Sequence, residues 1–209
     1  LMATASNKQL ASTLIALAAK PGELDAPAGQ SALAQALASR DGSLLTQAAH
    51  LIAEHQLTRH QQALRKAYRS LLPEARRSPS QAAAASSSIS ALAALVAALD
   101  AVDDNDAELF ADAARYVQLE RSKSGVRDTA APVRSRGVLG LARTGHVDWL
   151  PIIGACLGDP DENVRLSAAR AVAHRGQRDG AGLLLLRLGA GDSAAEVLIE
   201  CMRGLFAIA

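Results

Sequence analysis

Histidine is the side chain best suited to acid–base work or metal binding near neutral pH. Three of the five histidines crowd into one stretch, His50-Leu-Ile-Ala-Glu54-His55-Gln-Leu-Thr-Arg-His60. A zinc-protease helix carries two histidines four apart with a glutamate directly after the first, so that both rings share a face. Here the histidine spacings are five and five, which sends the rings to different faces. Only His50 and Glu54 share one. The stretch reads as solvated side chains at a helix end, and His146 and His174 read likewise.

Nucleophiles and phosphate cradles are no better placed. Cys156 and Cys201 sit in separate apolar helical patterns with no CxxC neighbour, so they read as buried thiols. Neither a Gly-x-Ser-x-Gly elbow nor a phosphate-binding Gly-rich loop ending in Lys-Ser/Thr occurs. Carboxylates cluster only at Asp100, Asp103, Asp104, Asp106, Glu108 and Asp112. They read as a solvated connection and as charges at a helix N-terminus. Trp149 shares a helix face with Ile152, Ile153 and Cys156 and reads as core. No catalytic residue, metal site or cofactor is expected.

The elements that would position any site are helical by composition. Of 209 residues, 49% are apolar but only 2% aromatic, so alanine and leucine must supply the packing. Few stretches combine the β-branched and aromatic residues that strands favour. The net charge of +1 gives no basic footprint for the whole chain, and nucleic acid is an unlikely partner. No apolar run approaches the ~20 residues that span a bilayer, and the expected location is cytoplasmic. Leu1 stands where a start methionine would, either as a remnant before Met2 or because the chain is cut from something longer.

A repeat organises the helices. From Val164 the inward residues fall at i, i+4, i+7 and i+8: Val164, Ala168, Ala171 and Val172. The template fits again from Val133 (Gly137, Gly140, Leu141), Val197 (Cys201, Gly204, Leu205), Leu44 (Ala48, Leu51, Ile52) and Leu109 (Ala113, Tyr116, Val117). The i+4 residue is small every time, which lets a neighbouring helix approach. A second helix follows most units, over 59–72, 146–157 and 181–188. The spacing from Leu109 to Val133 is too short for a full unit. A register break near 78–130 is expected, with a long loop over 121–130. Asp128 or Thr129, and Ser193, are candidate helix caps.

The runs Asp161–Gly176 (DENVRLSAARAVAHRG) and Ala131–Gly145 (APVRSRGVLGLARTG) resemble HEAT repeats of the short bacterial lyase-type class. The likeness is strongest over 130–209. It implies an all-α, right-handed α-solenoid of about five to six helix-turn-helix units, one domain over 1–209, with the last repeat incomplete at 194–209. In that class an Asp opens the unit and Val-Arg starts its first helix. Some HEAT enzymes hold di-iron through repeated His-Glu pairs, and this chain has only the reversed Glu54-His55. HEAT-fold glycosylases need aromatic base clamps, and this chain has a single Trp.

Three surfaces could meet a partner. Arg65, Lys66, Arg69, Arg76 and Arg77 form a basic run along the 59–77 segment and suit an acidic partner. Arg121, Lys123 and Arg127 lie in the expected loop. Arg115, Arg170 and Arg203 share the i+6 position, with His50. The last helix carries Leu205, Phe206 and Ile208 and could support self-association. The expected function is a non-catalytic protein–protein interaction or scaffold module with an unknown protein partner. An accessory domain of a larger enzyme or cofactor-transfer system is the alternative, and a non-specific nucleic-acid-binding solenoid the second.

Overall fold

Apolar residues at helical spacing, broken by Pro, Gly and Asp, set the elements of the computed structural model. It describes residues 2–77, 82–122 and 125–209, with side chains over 6–72, 87–120 and 125–209. Eleven α-helices and one hairpin appear among them: α1 (Met2–Ala19), α2 (Pro27–Ala38), α3 (Gly42–Glu54), α4 (Gln61–Arg77), α5 (Ala82–Ala101), α6 (Ala107–Ala114), β1 (Leu119–Ser122), β2 (Gly125–Asp128), α7 (Ala131–Thr144), α8 (Trp149–Leu157), α9 (Glu162–Arg175), α10 (Ala181–Ala190) and α11 (Ala195–Ile208). The chain divides into two compact units, Leu1–Asp104 and Asn105–Ala209.

In the first unit α3 packs on α5, and α4 packs on α5 and α2. Asp41 caps α3, accepting from the backbone N–H of Ser43 at 2.9 Å and Leu44 at 3.3 Å. The inward residues of α3 and α4 are those the periodicity selects: Leu44, Ala48, Leu51, Ile52, Leu64, Tyr68 and Leu71 are buried. The Ala/Ser-rich segment forms α5, whose Leu92, Leu95, Val96 and Leu99 are fully buried.

The second unit is a row of first helices, α6, α7, α9 and α11, each packed on the next. Helices α8 and α10 pack behind α9 and α11. The small i+4 residue explains the close approach. A methyl group added to Gly137 would stand 2.5 Å from the backbone nitrogen of Ala114, and one at Gly140 would stand 2.2 Å from the Phe110 ring. Helix α9 is capped by Asp161 and stopped by Gly176 in the left-handed region at φ 62°.

Four expectations are corrected. The segment expected to be a loop over 121–130 contains an antiparallel hairpin pairing Leu119 with Asp128 and Glu120 with Arg127. The alternation Tyr116-Val-Gln-Leu-Glu and Gly125 at the start of β2, φ 123°, favour it. Because α6 ends at Ala114, Val117 leaves the helical register and is 57% exposed, unlike Tyr116. Neither Thr129 nor Ser193 caps a helix; the caps are Ala130 and Ala194, whose N–H groups bond to Asp128 and Asp192. His60 and His146 are buried, not solvated.

Candidate functional site

The second unit uses its aspartates twice. Asp128, Asp159 and Asp192 each accept the N–H two residues on, at 3.0, 2.9 and 2.9 Å, which turns the chain into the next helix. Their remaining acceptor capacity meets buried arginines. Arg134, in the first turn of α7, sends Nε and Nη2 to Asp159 at 2.8 and 3.1 Å. Its Nη1 reaches Asp128 at 2.6 Å and the Tyr116 carbonyl at 3.0 Å. Arg165, one repeat on, sends Nε and Nη2 to Asp192 at 2.8 and 2.7 Å. Its Nη1 donates to the carbonyls of Asp159 and Pro160 at 2.9 and 3.0 Å. Each arginine therefore ties the loop before its own helix to the loop one repeat later. Hydrogen bonding from Arg165 holds the Asp192 carboxyl far below the usual carboxylate range, and the same bond raises Arg165.

A cleft of about 600 Å³ opens over the first of these ties. The Arg134–Asp128–Asp159 cluster lines it together with Val117 and Leu119 beside the hairpin, and Pro151, Ile152 and Ala155 of α8. Its walls are mainly apolar, and Leu119 is 58% exposed. The one nucleophile in it is inert: burial, then Asp159, pushes the Cys156 thiol up to about 12. Arg134, Asp128 and Asp159 satisfy one another, and Arg115 at the edge leans on Asp148 at 3.7 Å. That arrangement can receive apolar side chains; it has no group poised to move a proton.

The basic residues expected to bind a partner are divided by the structure. Arg65 places Nε on both oxygens of the fully buried Asp104, at 2.8 and 3.0 Å, so it ties helices together. Lys66 and Arg69 are exposed and line a shallow depression with Gln62 and Ser70. The side chains of Arg76, Arg77 and Arg121 lie outside those described, as does Lys123 altogether. Arg127 is exposed on β2, opposite Glu120. At i+6, Arg115, Arg170 and Arg203 point outward, with 52%, 55% and 72% of their side chains exposed. Arg170 and Arg203 share Glu200.

The histidines do not converge. His50 is exposed, His55 half-buried and His60 buried. Among the described residues, no three His, Cys, Asp or Glu side chains are placed to hold a metal ion. His146 is held by Glu108 at 3.2 Å and accepts the Asp148 N–H at 3.0 Å. Trp149 is core, with the Arg175 guanidinium 4.3 Å above its ring.

The arginine ties escaped the sequence reading, although their signal is present. Arg134 follows Asp128 by six residues, and Arg165 follows Asp159 by the same six. Helices α7 to α10 and most of α11, the small contact residues Gly137 and Gly140 and the repeating Asp–Arg pair fall where a known family model matches, residues 123–203, described as HEAT repeats. Residues 123–203 are similar to HEAT repeats. HEAT repeats generally mediate protein–protein interaction or scaffolding and are generally non-catalytic. The match leaves out 41–72 and 106–120, where the same template fits by spacing alone. Comparison with the curated proteins finds no match. No helix among the described residues is long and apolar enough to cross a membrane.

Proposed function

We propose that this chain is a non-catalytic interaction module whose HEAT repeats hold a protein partner in the cleft beside the hairpin. One observation carries the reading: Val117, Leu119, Pro151 and Ala155 present exposed apolar surface to the cleft, while Arg134, Asp128 and Asp159 on its floor are bonded to one another. A pocket built for catalysis leaves an acid, base or nucleophile available, whereas a docking cleft needs only area and shape. The partner supplies an apolar anchor that buries Val117 and Leu119 against Pro151 and Ala155. A photo-crosslinking residue at Val117 tests this in the source cell. A discrete adduct that disappears with Leu119→Glu and is absent from a probe at exposed Ile15 is the expected result. Adducts unchanged by Leu119→Glu would remove the cleft from the account.

The surface of Lys66 and Arg69 supports a second contact, with an acidic segment. Arg65 does not belong to it, since Asp104 holds that guanidinium. Lys66→Glu with Arg69→Glu should weaken partner binding and its salt sensitivity together. Arg65→Glu should instead unfold the first unit.

A further inference from the structure

Building on the acidic contact read at Lys66 and Arg69, we infer that the bound segment carries a large apolar side chain that enters the groove between α2 and α4, with carboxylates on both of its flanks. Helix α4 presents one stripe to this groove: Ala63, Lys66, Ala67 and Ser70 follow the i, i+3, i+4, i+7 spacing of a single face. Helix α2 answers with Ala34, Leu37 and Ala38, and Arg40 stands just past its end. The space between them measures about 380 Å³. Leu37 and Ala67 are buried and form its floor, while Ala34 and Ala38 are exposed. Most of the wall residues are alanines, so the two helices do not fill the space with their own side chains. Lys66 and Ser70 also line the neighbouring depression that holds Arg69, so the apolar groove opens directly onto the cationic surface.

Charge selects the occupant. Arg40 lines the groove from the α2 side and Lys66 from the α4 side, and Arg69 continues the same sign. Among the described residues, no carboxylate lines either depression. Helix α2 has no charged residue, and α4 has no acid between Gln61 and Leu72. A surface of one sign favours a segment of the other. A polynucleotide would use the cations but not the floor. No aromatic ring lines either depression to stack a base, and a phosphate gains nothing from alanine. A peptide with a leucine-sized side chain between acids uses both. Burial of that side chain supplies affinity, and the carboxylates set its direction and salt dependence.

A random dodecapeptide display library, selected on the full chain, tests this without presupposing a partner. The peptides to read are those that the wild type retains and the Lys66→Glu, Arg69→Glu double variant does not. They should share one large apolar position with Asp or Glu on both sides. A synthetic copy should lose about tenfold in affinity when that apolar residue becomes serine, and about as much on Arg40→Glu, measured by fluorescence anisotropy. Ala38→Phe fills the groove from an exposed position and should weaken binding as well. Ala28→Phe, exposed on α2 but outside the groove, should not. Unchanged melting curves for both variants separate a blocked groove from a lost fold. Acidic peptides that bind regardless of the apolar residue, of Arg40→Glu and of Ala38→Phe would overturn the groove and leave the acidic contact standing. An empty set of such peptides would sink the acidic contact and the groove together. Displacement of the peptide by an equal concentration of an unrelated DNA duplex would mark a generic anion surface and also overturn the inference.

Discussion

At the scale of single residues, the chain spends its buried charge on cohesion. Arg165→Met keeps the packing of the side-chain stem but removes four hydrogen bonds and leaves Asp192 with Arg187 and the Ala194 N–H. Breaking a buried pair in this way should cost about 2–4 kcal/mol in urea unfolding. Lysine should not rescue it, because an ammonium cannot bridge both oxygens. Asp192 gives the sign of the acid response. Its carboxyl is depressed in the folded state, so its contribution is present above the ordinary carboxylate range and fades as pH falls below ~4. His60 acts in a separate window. Burial, reinforced by Arg59, lowers its pKa below 6.5, and its Nε2 finds no partner among the described residues. The unfolded chain therefore binds the extra proton, and stability should fall as pH drops from 7.5 to 5.5. Thermal melts of wild type and His60→Gln check this; an equal slope in both would exclude His60 as the cause.

At the scale of elements, two kinds of position decide the helix pairs. Gln56 ends α3 in the left-handed region at φ 48°, while Leu57 N–H closes on the Ile52 carbonyl at 3.0 Å. Glycine suits that position better, so Gln56→Gly should stabilise the chain by about 0.5–1 kcal/mol in chemical unfolding. Gly137 is the opposite case. Its neighbours are the backbone of Ala113 and Ala114, so Gly137→Ala must separate α6 from α7, at a cost of about 1–3 kcal/mol. The need for a small residue there was legible in the sequence, because five units share one at i+4. The hairpin was not. Two four-residue strands with Val126 as their single β-branched residue give too weak an alternation to distinguish from a loop. His60 and His146 misled for a related reason: both lie outside the α-helices, where periodicity does not report burial.

At the scale of the whole chain, the sequence revealed the row of helices but not the cleft. Its apolar walls come from the end of α6, the hairpin and α8, which only folding brings together. The arginine of its floor drew no reading from the sequence, because its partners are brought to it only by folding. The thiols follow the same division. Cys156 and Cys201 read as buried from their apolar neighbours, and burial raises them to about 12 and 11. Both should be silent to a thiol reagent at pH 8 in the native protein and react together on unfolding. Fast labelling of Cys156 alone would mean that the cleft opens at α8.

The account rests on buried arginines that join each repeat to the next and shape the cleft floor. A double-mutant cycle of Arg134→Met and Asp159→Asn, read by urea unfolding, tests that most directly. The predicted coupling between the two changes is about 1.5–3 kcal/mol. Effects that add within ~0.5 kcal/mol would show that Arg134 and Asp159 act independently, and the tie between repeats would be wrong.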